Sequence, residues 1–135
     1  MINIVTTTQK NKLAAYLFGK NDAVIAPNTY YIGLSTTQMG VGGSLSGEVS
    51  GNGYSRVEIS NDSSSFNSAA NGIVANKIRI EWPEATASWG TVLTVFVADA
   101  PTGGNVLYYS NVNRTVPEGA TLYFAPGGLK FSITS

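Results

Sequence analysis

Apolar and polar residues alternate along most of the chain after residue 28, and a period of two residues predicts β-strands. In the segment TYYIGLST, Tyr30, Ile32 and Leu34 therefore fall on one face. Turn residues divide this region into roughly seven to nine short strands, about one every eight to twelve residues. The spacing predicts an all-β fold, an antiparallel β-sandwich of the Ig-like or jelly-roll-like kind, with residues 1–135 forming a single domain.

Two of these segments also predict how their strands are covered. In VANKIRIEW, Ile78, Ile80 and Trp82 alternate with charged residues, which predicts a strand with one face in solvent. In TVLTVFVAD both faces are apolar. That pattern predicts a central strand whose second side is covered by a helix or by another subunit.

Glycine-rich turns and two longer connections link the strands. PTGGN predicts a hairpin between the central strand and the next one, and PEGA predicts a second hairpin leading into TLYFA. Residues 37–53 and 60–72 are predicted to be long loops. Loops of this length in a compact domain are either functional or mobile.

One short α-helix is predicted ahead of the β region. Thr6 is a suitable N-cap, and Gln9 three residues later completes a capping box. Gly19 is placed to end the helix. The apolar residues just before the cap, within residues 2–5, predict a short strand.

The predicted helix has a narrow apolar stripe formed by Leu13, Tyr16 and Leu17. Because an isolated helix of this length is marginal in water, the stripe must pack on something. Residues 1–20 are therefore predicted to be a docking segment, which attaches either to the chain's own sheet or to a neighbouring chain.

Charged residues make up only 12% of the chain, against about 25% in ordinary domains. Glycine, serine, threonine and asparagine supply the polarity instead. One interpretation is a β-rich domain whose turns need these residues, and another is a surface covered by other chains, because interface cores are poor in charge. The formal net charge of +0 favours association and, with few cations, argues against binding to nucleic acid.

The residue types also exclude several kinds of chemistry. The chain has no cysteine and no histidine, so it has no thiolate nucleophile, no disulfide and no histidine base. Glu81 and Glu84 are interpreted as solvated charges rather than as a catalytic pair, and Asp99 as the cap of a turn. No enzyme, metal site or cofactor is predicted. No signal peptide or membrane-spanning run is predicted either, so synthesis in a cytosol is expected.

The glycine-rich segment GEVSGNGYSRVEI raises the question of an anion-binding loop. Such a loop needs a following helix whose amides face the anion, but the residues after Gly53 alternate like a strand. Asn52 and Gly53 are better explained as a turn with positive φ. Arg56 and Glu58 are then predicted to share one polar face of the strand.

The aromatic residues suggest either a sugar-stacking surface or a core. Trp82 and Trp89 have the phase of core residues. The adjacent pairs Tyr30–Tyr31 and Tyr108–Tyr109 each point to opposite faces, so one tyrosine of each pair should be exposed or at an interface. Together with the helix stripe, this gives the candidate assembly contacts Leu13, Tyr16, Leu17, Tyr31 and Tyr108.

Several strings in this order resemble a family of small bacteriophage virion proteins known as phage tail fibre or minor tail proteins: LAAYLFG, YYIGLSTT, GEVSGNGYSR, IEWPEATASWGTV, VADAPTGGNVLYY, TVPEGATLYF and PGGLKFSI. WPEATASWGTV and DAPTGGNVLYY are the most specific of them. The polar stretch SNDSSSFNSAANG departs from the pattern and suggests a tip specific to this virus.

The resemblance implies a structural component of a virion, made in the cytoplasm of the host bacterium, without catalytic residues to carry over. It leaves open whether the protein belongs to the tail, a fibre, the baseplate or the decorated capsid surface. We expect a homo-oligomer that packs against other phage virion proteins, with a trimer favoured by analogy. The alternative is a tip domain that contacts a host receptor or glycan through loops 37–53 and 60–72, and a hydrolase is disfavoured.

Overall fold

The computed structural model describes residues 2–19 and 26–132 of the chain. Within these residues the elements follow in the order β1 (Ile2–Val5), α1 (Thr7–Leu17), β2 (Thr29–Ser35), β3 (Val57–Ser60), β4 (Ile73–Ala75), β5 (Ile80–Glu81), β6 (Gly90–Ala98), β7 (Val106–Val116), β8 (Tyr123–Phe124) and β9 (Lys130–Ser132). The predicted all-β fold with one N-terminal helix is confirmed.

The strands form a large sheet and a small one. The large sheet has seven strands in the order β3-β2-β6-β7-β1-β9-β4, and β5 and β8 form a two-stranded sheet. In the large sheet, every pair of neighbouring strands is antiparallel except the pair of β1 and β9, which is parallel. The small sheet packs on one face of the large one, since the Trp82 indole N–H donates to the Ile32 carbonyl at 3.1 Å. The predicted antiparallel β-sandwich is therefore confirmed.

The main hydrophobic core lies between the two sheets. Its fully buried members include Ile32 of β2, Val95 and Val97 of β6, Leu107 of β7, Ile80 of β5, and Trp82 directly after β5. Phe124 of β8 meets Trp82 edge-on, with ring centroids 5.9 Å apart. Trp82 and Trp89 are both buried, as their phase in the sequence predicts.

A second, smaller core covers the other face of the central strand β6. Phe96 and Ala98 pack there under Met39 and Leu45, which belong to the segment between β2 and β3. The prediction that β6 is central is confirmed, but its second side is covered by this segment rather than by the helix or a subunit. A buried threonine of β6 holds the segment in place, because the Met39 N–H donates to Thr94 Oγ1 at 3.1 Å.

The single half-exposed strand predicted for VANKIRIEW is wrong. Strand β4 ends at Ala75, and the chain enters the small sheet only at Ile80. Between them lies Asn76, which is fully buried. Its side-chain NH2 group donates to the carbonyls of Ile78 and Ala125, both at 2.9 Å. Its side-chain oxygen accepts from the Leu129 N–H, also at 2.9 Å. These three bonds satisfy backbone groups at the crossing between sheets, so the strand is interrupted there.

One of the two predicted hairpins forms. Strands β6 and β7 are joined through PTGGN, and Asp99 caps the turn by accepting the Asn105 N–H at 2.8 Å, as predicted. The hairpin predicted around PEGA is wrong, because β8 pairs with β5 and not with β7. The residues after the turn lie beside the segment that follows β5, where the Ala85 N–H donates to the Ala120 carbonyl at 2.9 Å. The chain therefore continues into the small sheet and does not return along β7.

The helix begins and ends where the sequence predicts. Thr6 is the N-cap, its hydroxyl oxygen accepting from the Gln9 N–H at 3.4 Å, and its own hydroxyl donates to the Val106 carbonyl at 2.7 Å. Gly19 follows the C-cap residue Phe18 with φ +94°. The N-cap therefore starts α1 and also fixes it to the first residue of β7.

Candidate functional site

The end of α1 exposes three consecutive large apolar side chains. Tyr16 is 45% exposed, Leu17 63% and Phe18 83%, while Leu13 is half-buried. We call Tyr16, Leu17 and Phe18 the apolar helix end. Single exposed apolar residues are common on protein surfaces, but here three of them follow one another in the last turn of one short helix and at its C-cap. The apolar stripe predicted from the sequence therefore faces outward over its second half.

Polar contacts near the start of α1 hold the helix against the sheet. Gln9 is its one buried residue, and its side-chain amide donates to the Tyr108 hydroxyl at 3.1 Å. The Thr7 N–H donates to the Val41 carbonyl at 3.0 Å. The sequence pattern suggested apolar docking, whereas the contact with the body is made largely by polar groups. Among the residues that the structure describes, none buries the apolar helix end.

The two tyrosines predicted as assembly contacts lie elsewhere. Tyr31 is half-buried on β2 and pairs across the sheet with Glu58 of β3. Desolvation, together with that carboxylate, raises the pKa of the Tyr31 hydroxyl. Tyr108 is also half-buried, with its hydroxyl bonded to Gln9. That Tyr31 and Tyr108 contact other chains stays a prediction.

Tyr108 forms part of the wall of a cavity of about 400 Å³. The sheet side of the cavity includes Tyr30, Val97 and Phe131, and the segment of residues 61–69 encloses the opposite side. Tyr30 and Tyr108 are nearly perpendicular, with ring centroids 6.3 Å apart. Phe131 is likewise edge-on to Tyr108, at 6.5 Å.

Phe66 closes this set of rings from the enclosing segment. Its centroid lies 6.1 Å from that of Tyr30 and 5.6 Å from that of Phe131, again edge-on. We call Tyr30, Phe66, Tyr108 and Phe131 the aromatic wall. Burial, with a smaller contribution from Tyr108, raises the pKa of the Tyr30 hydroxyl, so this residue stays neutral at physiological pH. The one sign of this aromatic wall within the polar run SNDSSSFNSAANG was Phe66, its single aromatic residue.

Polar residues form the other part of the cavity lining: Asn61, Asp62, Ser63, Asn67, Ser68 and Ser132. We call the five from the enclosing segment, Asn61 to Ser68, the polar rim. Asp62 accepts from the Ser64 N–H at 2.9 Å and from its hydroxyl at 2.5 Å, and these bonds lower the pKa of the carboxyl group. The described lining contains no lysine or arginine, and Asp62 is its one charged residue.

The predicted loop 60–72 is partly a hairpin. Phe66 pairs with Asn76, and Ala70 with Ile73, so the second half of the loop runs beside β4. Asn71 and Gly72 at the bend both have positive φ, 53° and 73°, as a type I′ turn requires. The Asn-Gly dipeptide was the sequence signal for this hairpin, and the long polar run around it obscured that signal.

The predicted loop 37–53 folds back onto the protein. Its residue Val49 is buried, and the Val49 N–H donates to the Leu34 carbonyl at 3.0 Å. Asn52 and Gly53 both have positive φ, as predicted, at 54° and 85°. The segment GEVSGNG therefore turns the chain into β3, and the residues after it form a strand rather than the helix an anion loop needs.

Arg56 does not lie on a polar outer face, and that prediction is wrong. Its side chain is 1% exposed and pairs with Glu48, with both Nε and Nη2 donating to the carboxylate at 2.8 Å. Nη1 donates to the carbonyls of Ala100 at 2.6 Å and Gly103 at 2.9 Å. The guanidinium also lies 5.1 Å from the Phe96 ring centroid. Arg56 thus joins the 37–53 segment to the β6–β7 turn.

Nowhere in residues 2–19 and 26–132 do three or more acidic side chains come together as a metal would require. Across the same ranges, α1 falls short of the length and apolar character needed to cross a membrane.

Comparison with known proteins gives the chain a family. Residues 4–132 match the model of a family described as Podophage GP4 fiber I protein gp80. No curated protein matches the chain significantly. The match covers nearly the whole sequence and confirms the resemblance to phage tail fibre proteins. The chain therefore belongs to the Podophage GP4 fiber I protein gp80 family, is a phage fibre structural protein and is a component of the virion.

Proposed function

We propose that the protein is a self-associating fibre subunit, and that the apolar helix end packs on a second copy of the chain. The observation that carries the proposal is the exposure of Tyr16, Leu17 and Phe18 in sequence, at 45%, 63% and 83%. The helix is held to its own sheet by Thr6 and Gln9 near its start, and no described residue covers its exposed end, which supports a role for that end in assembly. The proposal gives the protein no catalytic step.

The composition and the family support the same proposal. A fibre family favours association with other virion proteins. A charged fraction of 12% and a net charge of +0 reduce the repulsion between copies brought close together. Repeated copies in a virion follow closed symmetry, and a threefold axis is favoured by analogy with other fibres.

The test is to place a charge on the apolar helix end and to measure the mass of the particle in solution. We expect the unmodified protein to form an oligomer and Leu17→Glu to be monomeric, with an unchanged far-ultraviolet circular dichroism spectrum. Asn11→Glu is the matched control, because Asn11 is also exposed on α1 and the same charge is introduced outside the apolar helix end. A monomeric unmodified protein, or an oligomer that survives Leu17→Glu, would contradict the proposal.

A second function is contact with a receptor or glycan on the host surface. The cavity beneath residues 61–69 favours it, because this segment encloses a space next to aromatic and polar side chains. The other predicted contact segment, residues 37–53, supplies Met39 and Val49 to the interior. Host contact is therefore proposed for the 60–72 segment alone. Binding of labelled protein to cells of the phage's host, with unlabelled protein as competitor, tests it.

A further inference from the structure

We propose that the cavity is a binding site for a neutral saccharide, held between the aromatic wall and the polar rim. This inference rests on the proposed contact with the host surface and gives that contact a site and a chemical class of ligand. The apolar side would take the C–H face of a sugar ring, and the rim would bond to its hydroxyl groups.

The size and position of the cavity suit a small ligand. Small-molecule sites typically measure about 300–1,000 Å³, and this cavity is about 400 Å³. It lies between strands of the large sheet, which contribute Val74 and Val97 to the lining, and the enclosing segment.

The enclosing segment is fixed at both ends, which keeps the site formed before a ligand binds. At its start, the Asn61 side-chain amide donates to the Pro27 carbonyl at 2.8 Å. At its other end, the Lys77 N–H donates to the Ser65 carbonyl at 2.6 Å, and Phe66 pairs with Asn76. A site held in this way loses little conformational entropy on binding.

The aromatic wall provides the apolar half of the site. Its four rings meet edge-on, so that their edges and faces point in several directions around the cavity. Aromatic rings bury a large area and, in tyrosine, carry a hydroxyl that can bond to a polar ligand. This mixture fits a molecule that is apolar on one face and polar at its edges.

The polar rim and its charge select a neutral ligand. Asp62 is held by Ser64, so its carboxylate is an oriented acceptor for ligand hydroxyls. The described lining holds no lysine or arginine, and the nearby ammonium group of Lys77 donates to the Ser63 carbonyl at 3.3 Å, so a phosphate, a sulfate or a sugar acid in the cavity would meet the Asp62 carboxylate, which repels it. Asn67 and Ser68 offer side-chain donors and acceptors to the hydroxyl groups of a sugar, and a purely aliphatic occupant would leave them unused.

The experiment measures saccharide binding to the full chain by titration calorimetry and saturation-transfer NMR. The probes are neutral hexose and N-acetylhexosamine mono- and disaccharides, with glucuronic acid as the anionic probe and an octyl-chain detergent as the apolar one. We expect at least one neutral sugar to bind and the other two probes not to bind. Preference for the detergent or the acid, or no binding by any neutral sugar, would overturn the proposal.

Three variants locate the binding. Ser68→Trp fills the cavity from its exposed rim and is expected to abolish binding. Asp62→Asn, which keeps the shape of the side chain, should weaken binding about tenfold, the effect of one charge-assisted hydrogen bond. Ser50→Trp is the matched control, because Ser50 is exposed outside the cavity lining. Sugar binding that survives both Ser68→Trp and Asp62→Asn would show that the site lies elsewhere.

The failure of this inference is distinguishable from failure of host contact. If the labelled protein binds host cells and Ser68→Trp leaves that binding unchanged, the contact stands and the cavity site is refuted. If the protein does not bind host cells but binds neutral sugars through the cavity, the site stands and the proposed contact is refuted.

Discussion

The buried pair of Glu48 and Arg56 is the interaction whose loss should affect the fold most. The Arg56 side chain is 1% exposed and donates to the carboxylate through two nitrogens, each at 2.8 Å. Glu48 also accepts from the Tyr54 hydroxyl at 2.7 Å. Glu48→Gln removes the negative charge while keeping the shape of the side chain, so Arg56 remains buried without a counter-charge.

The structure sets the size of the effect. Removing one partner of a buried ion pair typically costs about 3–5 kcal/mol. The Glu48 side chain is 19% exposed and glutamine keeps one acceptor, so we expect the lower end, about 3 kcal/mol. With an unfolding entropy of about 2.1 cal/mol/K per residue, this lowers the Tm of a domain of this length by about 10 °C.

The assay is urea and thermal unfolding at protein concentrations where the Tm does not depend on concentration, since assembly would otherwise add stability. Glu81→Gln is the matched control: the pair of Glu81 and Arg79 has an N–O distance of 2.7 Å, but its side chains are 48% and 52% exposed. We expect this control to cost under about 0.5 kcal/mol. Equal effects of the two substitutions would refute the reasoning from burial.

A double-mutant cycle separates the ion pair from the other contacts of Arg56. Arg56→Met also removes the donor to the carbonyls of Ala100 and Gly103. We therefore expect Arg56→Met to cost at least as much as Glu48→Gln, and the double variant to cost less than the sum by about 1–3 kcal/mol. Strict additivity would show that the charges are not coupled.

Two further predictions concern the core and the alkaline range. Gly33→Ala should cost about 1–3 kcal/mol or more, because the new Cβ would lie 2.7 Å from Cε2 of the buried Phe96; Gly40→Ala, which meets nothing within 4 Å, is the unfolding control. Burial raises the pKa of Tyr54 above its ordinary value of 10.0, so its neutral form stabilises the fold below about pH 10 and that contribution is lost as the pH rises further. Urea midpoints from pH 9 to 11.5 should therefore fall, and the fall should be shallower in Tyr54→Phe; an equal slope would contradict this.

The sequence predicts those parts of the fold that depend on neighbours along the chain. The apolar residues on both faces of the segment around Val95 and Val97 predicted the central strand, and Thr6 and Gly19 predicted the helix limits, because these signals act within a few residues. The turn at Asn52 was predicted for the same reason, since positive φ is a local requirement.

Apart from the hairpin at Asn71 and Gly72, the missed features depend on partners far along the chain. Arg56 reads as a surface cation until Ala100 and Gly103, 44 and 47 residues away, are brought beside it. In the sequence Asn76 looks like an ordinary polar residue of a strand. Its bond across the crossing between the sheets is made to the carbonyl of Ala125, 49 residues later. Neither composition nor periodicity can predict these long-range contacts, because a periodic pattern describes only one segment of the chain.

The cavity could not be predicted from the sequence for the same reason. The sequence singled out Tyr108 as a residue with an unusual position, but its neighbours Tyr30, Phe66 and Phe131 come from separate parts of the chain. Only the order of the seven strands brings them together. Within residues 60–72 the one local sign of an inward contact was Phe66, the single aromatic residue of a polar run.

The helix and the cavity are not independent, because both depend on β7. Thr6 and Gln9 bond to the first residues of that strand, and the Tyr108 hydroxyl that accepts from Gln9 belongs to the aromatic wall. A truncated chain without α1 would lose these bonds, so it would lose assembly and disturb the cavity at once. Leu17→Glu changes only the exposed end of the helix, and Ser68→Trp only the rim of the cavity. If the two surfaces have separate functions, each substitution should abolish one activity and leave the other intact.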